Sequence, residues 1–323
     1  MGNQLFLTMN DGHKIPVVGL GTWKSEPGDS TYNAVLNSIK AGYRHIDTAR
    51  AYDNESDVGR AVKDADIDRK DLFITTKLWN KDQGYNTAIE ACEKSLARLD
   101  CDYIDLYLIH WPLKDKRNES WRAFIELQKR GLCKSIGVSN FTIANLVELE
   151  DKFGVIPAVN QVEFHPYHYQ KDLLEYCNSK NIIIEAYSPL VHAKRMDEER
   201  LVAISGEMDK TPAQILIRWA VQRGMIVLPK SVNENFDDVV DWATNTPTLS
   251  ATSKITTIAG ALAVNQTSTF TGLATFSGNI KLDHTQGANA AIYWEGATDN
   301  DYETFLRATD ATADRFITLP DNG

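Results

Sequence analysis

The 323-residue chain is short of positive charge and contains no long apolar run. Its 34 basic and 44 acidic side chains give a formal net charge of −10, which argues against a broad surface for nucleic acid or an anionic membrane. No apolar stretch approaches the roughly 20 residues that cross a bilayer, and the first residues lack the cationic and apolar segments of a signal peptide. We therefore expect a soluble, cytoplasmic protein that binds neither nucleic acid nor membrane.

Cysteines are few and scattered. None of the four stands in a C-x-x-C pair or at a metal-ligand spacing, so we expect no metal site and no disulfide framework. Reduced, mostly buried thiols are typical of a cytosolic protein. The four residues are Cys92, Cys101, Cys133 and Cys177.

A glycine-rich dinucleotide fingerprint is also missing. Gly19 and Gly21 begin a G-x-G pattern, but Lys24 occupies the position of the third glycine. No capped helix pattern follows directly, so we do not expect this turn to hold a dinucleotide.

The composition changes sharply near Asn245. Upstream, short apolar runs alternate with amphipathic stretches, whereas downstream Thr, Ser, Ala, Asn and Gly predominate. We therefore predict two regions, residues 1–243 and residues 244–323. Short strands with Gly and Asn turns in the second region favour a β-rich or partly disordered extension that needs identical chains to bury its apolar face.

Strand-like apolar runs recur through the first region. They lack strict polar alternation, as expected of parallel strands buried on both faces. Helical spacing separates them, as in residues 32–39, and Thr211 to Gln214 combine an N-cap, a proline at the first helical position and a capping-box partner. Residues 5–18 predict a β-hairpin around an Asn-Asp-Gly turn. The runs are 17–20, 45–46, 72–78, 103–109, 135–138, 158–162, 182–186 and 225–228.

Eight strand candidates joined by helices allow an α/β fold of two kinds, an open doubly wound sheet or a closed barrel. Seven polar side chains stand at or just after the carboxyl ends of these runs, spaced 21 to 43 residues apart. A closed barrel would bring them to one rim, where barrel active sites lie. We therefore favour a (β/α)8 TIM barrel preceded by the hairpin. The seven are Asp47, Lys77, His110, Asn140, Gln161, Tyr187 and Lys230.

Four residues of this rim predict proton donation to a carbonyl oxygen. A free tyrosine has a pKa of about 10, too high for an efficient acid at neutral pH. We expect Lys77 to lower the pKa of Tyr52, and Asp47 to keep the lysine charged and oriented. A neutral His110 could donate to the substrate oxygen. Each residue alone has a structural explanation, but four on one rim favour catalysis.

Three tryptophans, Trp23, Trp79 and Trp111, each follow a strand end. They could be core residues. Their position beside the polar cluster makes an apolar substrate pocket at least as good an explanation.

These motifs resemble the aldo-keto reductase family over residues 5–242. The family's first signature is similar to residues 42–55, its lysine motif to residues 76–79 and its histidine motif to residues 108–112. The resemblance implies a monomeric barrel that binds NADPH in extended form and reduces aldehydes or ketones to alcohols. Further matches lie at 136–141, 160–163, 186–190 and 228–231.

The resemblance also implies roles for individual residues. Tyr52 would be the acid, Lys77 and Asp47 would tune it, and His110 would orient the carbonyl. Substrate would contact His110 and the three tryptophans. The residues expected to contact the cofactor are Thr22, Asp47, Ser139, Asn140, Gln161, Tyr187, Ser188, Leu190, Lys230, Ser231, Glu234 and Asn235.

Within the cofactor set, the resemblance places Ser139, Asn140 and Gln161 on the carboxamide. Tyr187 would stack on the nicotinamide ring. No metal ligand is implied.

The remaining cofactor contacts concern the phosphates and the adenosine. Ser188 and Leu190 would contact the pyrophosphate, and Lys230 with Ser231 the 2′-phosphate. In the family an arginine usually follows this Lys-Ser pair by several residues, and it is absent here. Glu234-Asn235 would be the Glu-Asn pair that contacts the adenine, displaced toward Ser231. Loss of a bidentate phosphate contact weakens the expected preference for NADPH and leaves NADH possible. The family's closing helix and loop are not found after residue 242, so no particular carbonyl substrate is predicted.

The last region resembles repeats of bacteriophage tail-fibre and related virion proteins, through residues 292–297, 302–304 and 309–321. This resemblance allows a second hypothesis, a virion structural or adhesion protein whose barrel is catalytically idle. A third is a fusion whose barrel folds poorly without its normal end. The intact set of four catalytic positions favours an active carbonyl reductase.

Overall fold

A computed structural model of the protein describes residues 5–230, 291–294 and 304–307. The chain divides into two compact units, residues 1–248 and residues 249–323. In the second unit, strands β11 (Ala291–Trp294) and β12 (Thr304–Arg307) pair antiparallel. The boundary after residue 243 and the nature of the extension stay predictions.

The first unit opens with the predicted hairpin. Strands β1 (Phe6–Thr8) and β2 (Lys14–Pro16) pair antiparallel, and the Met9 amide donates to the His13 carbonyl oxygen across the turn at 2.9 Å. Met9 and Ile15 are buried in one apolar cluster with side chains of the barrel interior, among them Phe73. The hairpin therefore covers the amino end of the barrel and leaves the carboxyl end for a site.

Eight parallel strands form a nearly closed barrel, as the spacing of the polar residues predicted. Consecutive strands are neighbours throughout. Backbone hydrogen bonds close the ring, from Gly19 to the Val227 carbonyl oxygen and from Val227 to that of Val17, each at 2.9 Å. The strands are β3 (Leu20–Gly21), β4 (His45–Asp47), β5 (Phe73–Leu78), β6 (Ile104–Ile109), β7 (Cys133–Ser139), β8 (Val159–Glu163), β9 (Ile183–Tyr187) and β10 (Ile226–Leu228).

Helices connect the strands on the outside of the barrel. The long interval between β9 and β10 holds two helices, and the second begins at the predicted capping box of Thr211 and Gln214. The α-helices are α1 (Asp29–Lys40), α2 (Glu55–Lys63), α3 (Tyr85–Leu99), α4 (Arg117–Lys129), α5 (Ile143–Phe153), α6 (Lys171–Ser179), α7 (Glu199–Met208) and α8 (Pro212–Val221). Short 3-10 turns are Arg50–Tyr52, Arg69–Asp71, Asn80–Asp82 and Val191–Ala193.

The main core lies between the helices and the outer face of the barrel. The rings of Tyr107 on β6 and Phe124 on α4 stack there with centroids 4.5 Å apart. Three of the four cysteines are buried and Cys101 is half-buried, which confirms the predicted burial. Among the described residues, no helix is both long enough and apolar enough to cross a membrane.

Candidate active site

The carboxyl ends of the barrel strands carry the polar side chains that the sequence indicated. Asp47 is the last residue of β4, Lys77 is the penultimate residue of β5, and His110 directly follows β6. Tyr52 ends the short helical turn after β4. Because parallel barrel strands end at one rim, these four side chains come together there.

The ammonium group of Lys77 joins Asp47 to Tyr52. Lys77 is fully buried. Its Nζ donates to Asp47 Oδ1 at 2.6 Å, to the Thr48 carbonyl oxygen at 2.9 Å and to the Tyr52 hydroxyl oxygen at 3.3 Å. These acceptors use all three hydrogens of the ammonium, so the lysine head is held in one orientation.

The Asp47 and Lys77 side chains form a buried ion pair. Burial lowers the pKa of Lys77, but Asp47 and Tyr52 raise it by more, so the net pKa is raised. Burial raises the pKa of Asp47, and the Lys77 ammonium opposes this. Asp47 accepts a hydrogen bond on each carboxylate oxygen, from Lys77 and from Gln161, and this two-donor geometry favours the ionised form.

The predicted net lowering of the Tyr52 pKa is wrong. Burial raises the pKa of Tyr52, and the ammonium of Lys77 lowers it by less than burial raises it. The sequence indicated the lysine but not how deeply the phenol is buried. The raised pKa makes the buried phenol a weaker acid, and the charge of Lys77 offsets part of that loss.

His110 is held neutral beside Tyr52. Its ring meets those of Tyr52 and Trp79 edge-on, with centroids 5.8 and 5.2 Å away. Burial, followed by the nearby Lys77, lowers the pKa of His110 to about 3. Its Nδ1 has no hydrogen-bond partner among the described residues. A neutral imidazole at this position can donate one hydrogen bond to a substrate oxygen.

The turn that carries Tyr52 is fixed by two buried side chains whose roles the sequence did not reveal. Asn54 accepts a hydrogen bond from Thr48 Oγ1 at 2.7 Å. Glu55 accepts one from Thr76 Oγ1 on β5 at 2.6 Å. These contacts tie the segment after the turn to Thr48, which follows β4, and to β5, and so hold the phenol at the rim.

A second polar group continues around the rim on β7, β8 and β9. Ser139 Oγ donates to the Gln161 carbonyl oxygen at 2.9 Å, and Asn140 Nδ2 donates to Ser139 Oγ at 3.1 Å. The Tyr187 hydroxyl donates to Asn140 Oδ1 at 3.0 Å. Adjacent amide and hydroxyl groups beside a half-buried aromatic ring fit the carboxamide and ring of a nicotinamide.

Gln161 also contacts the buried carboxyl group of Glu185, which was not among the predicted site residues. Its Nε2 donates to Asp47 Oδ2 at 2.8 Å and to Glu185 Oε2 at 2.7 Å. Glu185 is fully buried in the middle of β9. The signal was in the sequence, because an acidic residue interrupts the otherwise apolar run 182–186.

Other residues predicted to contact a cofactor lie at the same rim. Thr22 is buried, and both its amide and its Oγ1 donate to the Asp47 carbonyl oxygen at 3.0 Å. Its hydroxyl therefore supports β4. Ser188 and Leu190 follow β9 and are half-buried, with Ser188 in the left-handed region at φ 50°.

Lys230, the last described residue before β11, is exposed at the rim. Its Nζ donates to the backbone carbonyl oxygen of Lys24 at 2.7 Å. The Lys24 ammonium, not predicted, lies over the Trp23 ring, and burial followed by the charge of Lys24 lowers the pKa of Lys230. Two lysines form a cationic edge that fits a phosphate group. Ser231, Glu234 and Asn235 lie outside the described residues.

The three tryptophans differ in their relation to the tetrad of Asp47, Tyr52, Lys77 and His110. Trp79 packs against the His110 ring, whereas Trp23 and Trp111 are 46% and 42% exposed. Such exposure argues against core packing for Trp23 and Trp111 and favours an apolar pocket mouth.

Comparisons with known proteins agree with this geometry. The Aldo/keto reductase family model matches residues 17–243. The chain is 47% identical over 227 residues to the glyoxal reductase of Bacillus subtilis, covering 70% of this chain and 82% of that protein. It is 44% identical over 246 residues to the methylglyoxal reductase DkgA of Escherichia coli, covering 73% and 88%.

Solved structures of similar proteins share the fold. An aldo/keto reductase from Brucella melitensis is 44% identical and superposes with a TM-score of 0.72, covering 75% of this chain and 96% of that one. An aldo-keto reductase from Bombyx mori, in complex with NADP, is 34% identical with a TM-score of 0.72, covering 77% and 91%.

The chain therefore belongs to the aldo/keto reductase family. It reduces aldehyde or ketone carbonyls with a nicotinamide cofactor. The family match ends at residue 243, and the resemblance of residues 244–323 to tail-fibre repeats stays a prediction.

Proposed function

We propose that Tyr52 is the proton donor of the reduction and that small, reactive dicarbonyl compounds are the substrates. The contact between the Lys77 ammonium and the Tyr52 hydroxyl, with Asp47 behind the lysine, carries the assignment of the donor. A phenol can act as an acid near neutral pH only if its conjugate base is stabilised, and a fixed ammonium supplies that stabilisation.

The side chains act on the carbonyl oxygen. When bound, the nicotinamide supplies the hydride equivalent that the carbonyl carbon accepts. Neutral His110 donates a hydrogen bond to the carbonyl oxygen and fixes its angle. Tyr52 transfers its phenolic proton to that oxygen, and Lys77 stabilises the phenolate that remains. The product is an alcohol, and a solvent proton restores the phenol.

The proposed substrate class follows from the relatives and the pocket. Proteins named glyoxal reductase and methylglyoxal reductase are 47% and 44% identical to this chain. Trp79 beside His110 offers an apolar wall, and Trp23 and Trp111 are exposed and add apolar surface after their strands. We expect activity with methylglyoxal and with reactive aromatic aldehydes.

We further propose NADPH as the preferred cofactor, with NADH accepted. Lys230 and Lys24 supply cationic groups for a 2′-phosphate, while Ser139, Asn140 and Gln161 would hold the carboxamide. Comparing kcat/KM for the two cofactors tests this. Lys230→Met should reduce the efficiency with NADPH more than with NADH, and an equal effect on both contradicts the assignment.

The test of the donor is Tyr52→Phe, assayed by NADPH absorbance with methylglyoxal. We expect reduction to be nearly abolished while NADPH binding, followed by quenching of tryptophan fluorescence, is largely retained. The matched control is Tyr103→Phe, at the residue just before β6, which should keep full activity. Activity in Tyr52→Phe, or loss of its cofactor binding, shows that the role is misassigned.

Three accompanying inferences concern the whole chain. We propose a cytoplasmic location, a monomeric barrel and a self-associating extension that resembles tail-fibre repeats. The closely arranged tetrad supports an active barrel over an idle one in a virion protein. Light scattering on the full chain and on a chain ending at residue 248 tests the oligomeric states, and cell fractionation tests the location.

A further inference from the structure

Glu185 is a buried carboxyl group that takes no direct part in the proposed proton transfer. It lies in the middle of β9, fully buried, with Gln161 of β8 and Ile226 of β10 as its backbone neighbours in register. Its Oε1 has no hydrogen-bond partner among the described residues and lies 3.5 Å from His45 Nε2. An ionised carboxylate in such a position would be strongly disfavoured.

One amide nitrogen connects Glu185 to the catalytic ion pair. Gln161 Nε2 gives one hydrogen to Asp47 Oδ2 at 2.8 Å and the other to Glu185 Oε2 at 2.7 Å. An amide nitrogen has only two hydrogens, and here both are used. The hydrogen bond to Glu185 therefore helps to fix the orientation in which the Gln161 amide donates to Asp47.

The charges inside the barrel do not balance if both carboxyl groups are ionised. Lys77 is the cation, and it donates to Asp47. Burial, followed by Lys77, lowers the pKa of His45 to about 3, so His45 supplies no second cation at neutral pH. Burial and then the charge of Asp47 raise the pKa of Glu185 to about 8.

The titratable groups around Glu185 come from β4, from β5 and from the turn that follows β4. His45 and Asp47 face it from β4, Lys77 from β5 and the Tyr52 phenol from the turn above. On β8 the facing group is the Gln161 amide, and β10 brings only apolar residues into register. Glu163, also on β8, pairs with His165 instead.

We propose that Glu185 is a positioning residue of the reductase, which in its protonated form holds the Gln161 amide against Asp47 and on losing its proton makes Tyr52 a weaker acid. The second part follows from electrostatics, since a negative charge at Glu185 raises the pKa of Tyr52. Reduction should therefore slow as the pH rises through the titration of Glu185. This inference rests on Tyr52 as the proton donor.

The test is the pH profile of single-turnover methylglyoxal reduction with saturating NADPH. Glu185→Gln keeps a hydrogen-bond acceptor for Gln161 but cannot ionise. For each protein we take the ratio of the rate at about pH 9 to the rate at about pH 6. This ratio should be roughly 3- to 10-fold higher in Glu185→Gln than in the parent. Glu150→Gln on α5, whose carboxylate pairs with Lys180, is the matched control and should keep the parent ratio. An unchanged ratio in Glu185→Gln overturns the proposal.

Two measurements without cofactor complete the test. The first is infrared spectroscopy of the parent, in which the carbonyl stretch of a protonated carboxyl group should be present at neutral pH and disappear around pH 8. Its absence at neutral pH overturns the proposal even if Glu185→Gln fails to fold.

The second measurement is the pH dependence of the free energy of unfolding. Between the ordinary pKa of 4.5 and about 8 the folded chain holds one more proton than the unfolded chain, so stability is lost as the pH rises. Glu185→Gln should remove that loss.

The outcomes separate this inference from the assignment of Tyr52. If Tyr52→Phe remains active, the proposed donor is wrong and the pH argument has no basis. If Tyr52→Phe is inactive and Glu185→Gln has the parent pH profile, Tyr52 stands and the role of Glu185 alone is wrong.

Discussion

The hydroxyl oxygen of Tyr52 lies 3.3 Å from the ammonium nitrogen of Lys77, and that nitrogen lies 2.6 Å from Asp47 Oδ1. The lysine therefore has two neighbours of different kinds. The Asp47 carboxylate keeps the buried lysine charged, and the positive charge of the lysine stabilises the phenolate of Tyr52. Asp47 therefore accounts for the stability of the buried ion pair, and Lys77 accounts for the reactivity of the Tyr52 phenol.

Replacement of Lys77 by methionine tests this separation. Lys77→Met should slow carbonyl reduction by roughly 10²- to 10⁴-fold, because the phenolate loses its stabilising charge. It should also lower the free energy of unfolding by about 3–5 kcal/mol, because Asp47 is left buried without its partner. Single-turnover rates and urea unfolding measure the two effects.

A double variant provides the control for the loss of the lysine. Adding Asp47→Leu to Lys77→Met removes the stranded carboxylate and should recover most of the stability but none of the activity. Recovery of activity would show that the charge of Lys77 is not needed by Tyr52.

The barrel could be predicted from the sequence because its signals are local. Polar residues such as Lys77 and His110 stand where apolar strands end, and the spacing of one βα unit repeats. The bounds of the first barrel strand, predicted as residues 17–20, were harder to predict. Residues 17–19 form hydrogen bonds with the last strand, and only Leu20–Gly21 form β3.

The site could be predicted only in part, because proximity across a barrel is not local. Glu185 and Asp47 are 138 positions apart and meet through Gln161, which no spacing reveals. The pKa of Tyr52 depends on a balance between burial and the charge of Lys77, and the sequence indicates only the second of these.

His110 gives a prediction about stability at acid pH. Its folded-state pKa of about 3 lies below the ordinary value of 6.5, so between these values the unfolded chain binds one more proton. The free energy of unfolding should therefore fall as the pH falls through this window, by up to about 1.4 kcal/mol per pH unit. His110→Gln should flatten that dependence, as measured by urea unfolding at a series of pH values.

His45 offers a second case of the same kind. Burial lowers its pKa to about 3 as well, so His45→Gln should flatten the curve in the same direction and the double variant should flatten it further. If the free energy of unfolding of His110→Gln depends on pH in the same way as that of the parent, the His110 imidazole is not held neutral in the folded site.

Two helical glycines give opposite predictions for the same substitution. A Cβ on Gly59 in α2 would lie 2.5 Å from the carbonyl oxygen of Leu99, a backbone atom at the end of α3 that cannot move aside alone. Gly59→Ala should therefore lower the free energy of unfolding by about 1–3 kcal/mol through overpacking. Gly206 in α7 has no neighbour within 4 Å of a Cβ, so Gly206→Ala should raise it by about 0.5–1 kcal/mol through helix propensity. Urea unfolding of both variants measures the pair, and equal signs would show that α2 and α3 do not pack as closely as the contact at Gly59 requires.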